Sequence, residues 1–302
     1  MLNSLHDIVY TAKQKGVKKL VVPCPGENDL SLLAEASVSG LIVPYFVGDE
    51  VTIKKMINGS QLAACEYLIE ETDDTNQALN KALEILQNNA VDILMQGSLS
   101  AQTIVSAIND KHKGMVPKGS LLSFVSVFPL LKKEKLILVT DTFINNHPSI
   151  AEKQLILSNA LKLARILGIE TPKVAVLSAI EQVNPGIPST LSAAALSKMS
   201  ERHQFGDAIV EGPLDFDCAL SQIAAERKGV KSVVTGNVDI YIVPEIDTGY
   251  LMAEALIFFG SMKMAGVVMG TKKPVILNLP FISQEERLIQ IALACLLHEK
   301  GR

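Results

Sequence analysis

At 302 residues the chain is too long for one small core and fits one large or two modest domains. Apolar residues make up 48% and charged residues 20%, which argues against wholesale disorder, and a formal net charge of −4 disfavours nucleic-acid binding through a general basic surface. No apolar run approaches the roughly 20 residues that span a bilayer, and Cys24, Cys65, Cys218 and Cys295 have no paired spacing, so they read as small buried thiols in a reducing compartment.

The opening stretch MLNSLHDIVYTAKQKG alternates polar with apolar residues and contains Asp7, which is expected of a helix rather than a signal peptide. A strand is expected at 18–24 and a helix at 27–40 with a glycine stop, followed by a strand at 41–48. Ala78, Leu79, Ala82, Leu83 and Leu86 recur at helical spacing within 73–89; a strand at 91–97 and a helix at 101–110 follow. Further strands are expected at 135–141, 173–179, 207–212, 238–245 and 273–279, with helices at 149–168, 189–203, 216–228 and 249–260 and another from Ser283. This alternation implies α/β architecture, two α/β domains with mostly parallel sheets covered on both faces. A soluble cytoplasmic protein, with no membrane and no nucleic-acid partner, is expected.

Generic motifs are missing. The chain has no GxGxxG after its first strand, no GxxxxGK[ST] and no GxSxG, and its five histidines lack metal-ligand spacing. Polar residues do follow the strands: Asp141 and Asn145 after LILVT, Ser178 after KVAVL, Gly212 and Pro213 with Asp217 after AIVE, and Asp247 and Gly249 after IYIVPE. Each alone reads as helix capping. Together they sit at carboxyl ends of strands, the edge that lines a crevice in such folds, where helix N-termini favour anions.

Three longer stretches carry a resemblance. Asn184-Pro185-Gly186-Ile187-Pro188-Ser189-Thr190, then Ala194-Ala195-Leu196-Ser197-Lys198-Met199, then Gly212-Pro213-Leu214 and Asp217, closely resembles the middle of phosphate butyryltransferases in the phosphate acetyl/butyryl transferase family. LILVTDTFINNHP (136–148) is similar to that family's strand ending in Thr-Asp with an Asn four residues on, and 238–277 resembles its Val-Pro segment, helix, Ala-Gly and Pro-Val strand. The resemblance implies an isocitrate/isopropylmalate dehydrogenase-like fold of two domains, 1–135 plus 283–302 and 136–282, with a cleft between them and a homodimeric assembly. It also implies transfer of a short, butyryl-like acyl group between coenzyme A (CoA) and phosphate. CoA is then a substrate, with no permanently bound cofactor and no metal. Asp141, Asn145, Ser178, Asn184, Gly212, Pro213, Asp217, Asp247 and Gly249 become substrate-binding candidates facing that cleft.

The last strand departs from the family. Where the family carries Ser-Arg, this chain has Leu279-Pro280, and Phe281-Ile282 follow. The family's base falls on Glu286, the catalytic candidate. Gln96 stands where butyryltransferases commonly have Lys, and Tyr250 where the family has Asn. Two readings stay open: an active, weakened acyltransferase that recruits Lys263, Lys272, Lys273 or Arg287, or a degenerate paralogue that binds CoA or acyl-CoA as a regulatory protein. A dehydrogenase on the related fold is disfavoured, because the nucleotide and metal residues are missing.

Overall fold

The computed structural model describes residues 1–112, 115–130 and 133–298, so 299–302 of the expected C-terminal segment lie outside it. It divides into two compact units, Leu5–Ser120 with Ala265–Arg302 (the split unit) and Leu121–Met264 with Met1–Ser4 (the central unit).

In chain order the split unit begins with helix α1 (Leu5–Gln14), strand β1 (Lys18–Pro23), α2 (Glu27–Val38), β2 (Ile42–Gly48), α3 (Glu50–Asn58), β3 (Leu68–Glu71), α4 (Thr75–Gln87), β4 (Ile93–Met95) and α5 (Ala101–Asn109). The central unit holds β5 (Ser123–Leu130), β6 (Lys135–Thr140), α6 (Ile150–Ile166), β7 (Lys173–Leu177), α7 (Pro188–Glu201), β8 (Ile209–Leu214), α8 (Phe216–Leu220), α9 (Gln222–Arg227), β9 (Ile240–Ile242) and α10 (Ile246–Phe258). The split unit closes with β10 (Ala265–Met269), β11 (Val275–Ile276) and α11 (Gln284–Leu297).

The split unit orders its strands β3-β2-β1-β4-β11-β10, all parallel except the antiparallel β10–β11 pair. The central unit orders its strands β5-β6-β9-β7-β8, parallel except for β5 against β6. Sequences such as LVVP and ILM are apolar at every position because both faces of these strands are covered. β5 pairs with β6, so the central unit starts at 121; β11 pairs with β4, so β10 and β11 belong with the split unit. The expected limits of 135/136 and 282/283 become 120/121 and 264/265.

Three strands have no counterpart among the sequence expectations: β3, β5 and β10. β5 reads SFVSVFPL, and its serines break the apolar run, yet Ser123 and Ser126 are buried and hydrogen-bonded to Asn159 and Thr142. The expected strand at 273–279 shrinks to two residues, since Asn278 turns out of the ladder.

Candidate active site

The apolar turn at 278–282 links β11 to α11. Its backbone is held from the neighbouring β4: Asn278 N donates to Gln96 Oε1 at 2.8 Å, and Asn278 Nδ2 donates to the Gly97 carbonyl at 2.9 Å. Gln96, buried at the end of β4, thus serves as a hydrogen-bond post, at the position where the resemblance leads one to expect a lysine. Gly97 has a φ of +68°, and a Cβ there would lie 2.1 Å from the Pro23 carbonyl oxygen, so the backbone approach demands glycine. Leu279 is half-buried, Pro280 exposed and Ile282 buried.

A cavity of about 470 Å³ opens beside this turn, lined by Gly26–Asp29, Gly97, Ser98, the turn itself and Arg287. Of the four cations expected to compensate for the lost arginine, Arg287 is the one on this wall; Lys263 and Lys272 are exposed and Lys273 is half-exposed elsewhere. The Arg287 guanidinium is committed to the protein. It donates to Asp29 Oδ1 at 2.6 Å and to Asn278 Oδ1 at 3.1 Å, and Asp29 in turn accepts from Gly26 N at the start of α2. The catalytic candidate Glu286 sits at the third position of α11, where its Oε2 accepts from Ser283 N at 2.8 Å and Ser283 Oγ at 2.6 Å. Ser283 Oγ accepts from Glu286 N, completing a reciprocal helix cap.

Every other candidate falls in the central unit. β6, β9 and β7 are parallel neighbours, so the loops that follow them leave from one edge. Asp141, directly after β6, is buried. Its Oδ1 accepts from the N–H groups of Phe124, Phe143 and Ile144 at 3.0, 3.1 and 3.2 Å, and its Oδ2 accepts from Asn145 N at 3.1 Å and from Asn145 Nδ2. Burial pushes the Asp141 carboxyl above its ordinary range, while these N–H donors pull it back down. Asn145 Nδ2 also donates to the Leu122 carbonyl at 2.7 Å, so the Asp-x-x-x-Asn pair organises its own loop.

Gly249 is buried because α10 lies directly on that loop: a Cβ there would sit 2.5 Å from the Asp141 carbonyl oxygen. Gly212 and Pro213 were expected at the end of a strand over 207–212, yet β8 runs on to Leu214 and holds both inside it; a Cβ on Gly212 would meet Val176 at 2.9 Å and Ala193 at 3.1 Å. Both are packing residues in this geometry. Asn184 is exposed and shapes the turn before α7, its Oδ1 accepting from Gly186 N at 2.8 Å, while Asp247 is exposed in the first turn of α10. Asp217 is exposed and pairs with Lys228 at 2.8 Å. With Asp215 and Cys218 it forms the one carboxylate–thiol cluster compact enough for a metal among the described residues, but Lys228 bridges both carboxylates and competes for the same oxygens, and burial pushes the Cys218 thiol up to about 12.

Ser178 is the candidate that opens onto something the sequence reading missed. Its Oγ lies 2.7 Å from Ser189 Oγ in the first turn of α7. One turn on, Ser192 Oγ accepts from Lys153 Nζ at 3.0 Å and donates to the Ser189 carbonyl at 3.0 Å. Lys153 is 5% exposed. Burial lowers its pKa, and the nearby charge of Glu245 partly restores it. Lys153, Ser189 and Ser192 line a second cavity, of about 540 Å³, with His147–Ile150, Pro188, Leu191, Pro244 and Glu245. A signal for Lys153 was present: it falls on the apolar stripe of α6 with Ile156, Leu157 and Ala160, where a charge is out of place unless something meets it.

The model of the family described as phosphate acetyl/butaryl transferase matches residues 68–295. A phosphate butyryltransferase of Clostridium acetobutylicum is 35% identical over 297 residues, covering 98% of both chains. A phosphate acetyltransferase of Rickettsia felis is 35% identical over 94% of this chain and 81% of its own. The crystal structure of a branched-chain phosphotransacylase from Enterococcus faecalis superposes with a TM-score of 0.79 at 24% identity, covering 93% of this chain and 100% of that one, and so shares the fold. With a family match over residues 68–295 and a relative 35% identical over 98% of both chains, the chain belongs to the phosphate acetyl/butyryl transferase family.

Proposed function

We propose that the protein transfers a short-chain acyl group, butyryl-like in size, between CoA and phosphate. The observation that carries this is the match, over 98% of both chains, to a phosphate butyryltransferase. In the direction of acyl-CoA synthesis the CoA sulfur attacks the acyl carbonyl, the C–S bond forms, the C–O bond to phosphate breaks, and the thiol proton must leave to a base. Glu286 is proposed as that base, its carboxylate seated by the Ser283 cap. Ser178, Asn184, Asp217 and Asp247 are proposed to contact substrate, whereas Asp141 and Asn145 act by holding the loop after β6 and Gly212, Pro213 and Gly249 by close packing. CoA enters as a substrate; no permanent cofactor is part of the proposal.

Purified protein assayed for phosphate-dependent CoA release from acetyl-, butyryl- and isobutyryl-CoA tests it. Turnover with preference for the four-carbon thioesters is expected. CoA binding by calorimetry without turnover would sink the enzyme reading and leave a CoA-binding protein.

We also propose a cytoplasmic homodimer. No helix among the described residues is long and apolar enough to cross a membrane. Yet α10 (IDTGYLMAEALIF) buries only Gly249 and Ala253 fully, and leaves Leu251 66% and the adjoining Phe259 93% exposed. An apolar helix so uncovered calls for a partner surface, and a second copy is proposed to cover it. Leu251→Glu with Phe258→Glu should give a monomer by light scattering; a native monomer would refute the assembly.

A further inference from the structure

We propose that the cavity at the N-terminal turns of α6 and α7 binds a phosphoryl group carrying a short apolar tail, with Lys153 as the phosphoryl-binding cation. This rests on the acyl-transfer reading and deepens it, since an acyl phosphate has that two-part character.

Four observations converge. Lys153 is 5% exposed, and its ammonium, which carries three donors, meets a neutral hydroxyl, Ser192 Oγ, at 3.0 Å. Its direct hydrogen-bond partner is neutral and the nearby charge of Glu245 offsets only part of the cost of burial, so the cation is under-compensated, and an anion in the adjoining cavity would complete its shell. Second, α7 starts with Pro188 after Ile187, which provides no side-chain cap, whereas α3, α5, α6 and α11 each have a capping hydroxyl or carboxylate. The uncapped end of a 14-residue helix thus borders the same cavity as Lys153. Third, the volume of about 540 Å³ accommodates a small ligand. Fourth, Ile150 and Leu191, each 41% exposed, stand on its wall with Pro148, Pro188 and Pro244. Charge and bare aliphatic surface share one cavity, which suits a phosphoryl head and a hydrocarbon tail. One carboxylate on the wall opposes the anion: Glu245, whose Oε2 lies 2.9 Å from His147 Nδ1 and whose charge also acts on Lys153.

The cavity beside 278–282 lacks this combination. Arg287 there is already paired with Asp29, and Glu27 adds a second acid to the wall.

Calorimetry on the full chain with inorganic phosphate, n-butylphosphonate and CoA provides the test. Phosphate should bind, and butylphosphonate should bind roughly 10-fold tighter through partial burial of its chain. Lys153→Met, which keeps the length and apolar stem, should weaken both by roughly 10–100-fold and leave CoA affinity unchanged. Leu191→Ser should remove the advantage of butylphosphonate over phosphate, and Leu191→Glu, at an exposed position that tolerates substitution, should abolish phosphate binding even if Lys153→Met does not fold. Binding of both anions to Lys153→Met and Leu191→Glu as to the native protein would overturn the site. Loss of CoA rather than phosphonate in Lys153→Met would overturn it in favour of a site for CoA phosphates. The two proposals fail separately: phosphonate binding through Lys153 without acyl-CoA turnover removes the enzyme reading and keeps the site, while turnover with an unchanged phosphate KM in Lys153→Met removes the site and keeps the enzyme.

Discussion

The two cavities hold a cation each, and the cations are used in opposite ways. Arg287 stands beside the altered turn, where sequence proximity points to a substitute for the missing arginine, but its guanidinium is tied to Asp29 and Asn278 and works to fasten α11 to the start of α2. Lys153 is far from that turn in the chain; it donates to a hydroxyl, and the nearby charge of Glu245 offsets its burial only in part. A charged side chain is available to a ligand when its own fold has not clasped it in a direct ion pair. Nearness in sequence to a lost residue says nothing about that.

The largest effect expected concerns Glu286. Glutamine preserves the acceptor of the Ser283 cap but cannot take a proton, so Glu286→Gln should lower kcat by about 10²–10⁴-fold with an unchanged unfolding midpoint. A fall in stability without loss of rate would make Glu286 a cap and nothing more. Next, Leu279→Ser with Pro280→Arg should raise phosphate-dependent turnover by roughly 10²-fold or more, because half-buried and exposed positions at the turn can accept the polar pair. Steady-state rates that stay level or drop would show that the chain has already replaced those groups, and would sharpen the case for Lys153.

Arg287→Met should cost roughly 3 kcal/mol in urea unfolding, since it leaves the buried Asp29 without its partner, yet phosphate affinity should not change. Weakened phosphate binding in this variant would break the contrast between the two cations. The smallest effect is in pH dependence. The Lys153 pKa is lowered in the folded state, so the folded protein binds fewer protons than the unfolded one from that lowered value up to the ordinary lysine range, and the native protein gains stability as pH rises through this window. Lys153→Met should therefore be more stable than the native protein near neutrality, with the difference shrinking toward about pH 10. A difference constant across urea titrations at neutral and alkaline pH would mean that the charge of Lys153 costs the fold nothing.

Much of the architecture was legible because periodicity reports burial directly. LVVP, IVPYFV and LILVT announce covered strands, and Ile156, Leu157, Ala160 and Ala164 trace the inner face of α6. β5 escaped since its buried serines are satisfied by Asn159 and Thr142, partners 36 and 16 residues away. The site was legible only as a set of positions. Asp141, Ser178 and Asp247 do follow parallel strands that are sheet neighbours, but Gly212 and Pro213 lie within one.

By itself the sequence determined the alternation of strand and helix, the family through motifs such as Asn184–Thr190, and the apolar character of the turn at Leu279-Pro280, for these are properties of residue type and order. The tertiary structure alone decided what each polar group is spent on. Hydrogen bonds and ion pairs saturate, so an oxygen of Asp141 that accepts Phe124, Phe143 and Ile144 has little left for a substrate, and an arginine clasped by Asp29 is lost to an anion. Which partner reaches each group first depends on the packing of distant segments, and that packing leaves Lys153 beside a cavity with a hydroxyl, Ser192, as its hydrogen-bond partner and Glu245 as a nearby charge.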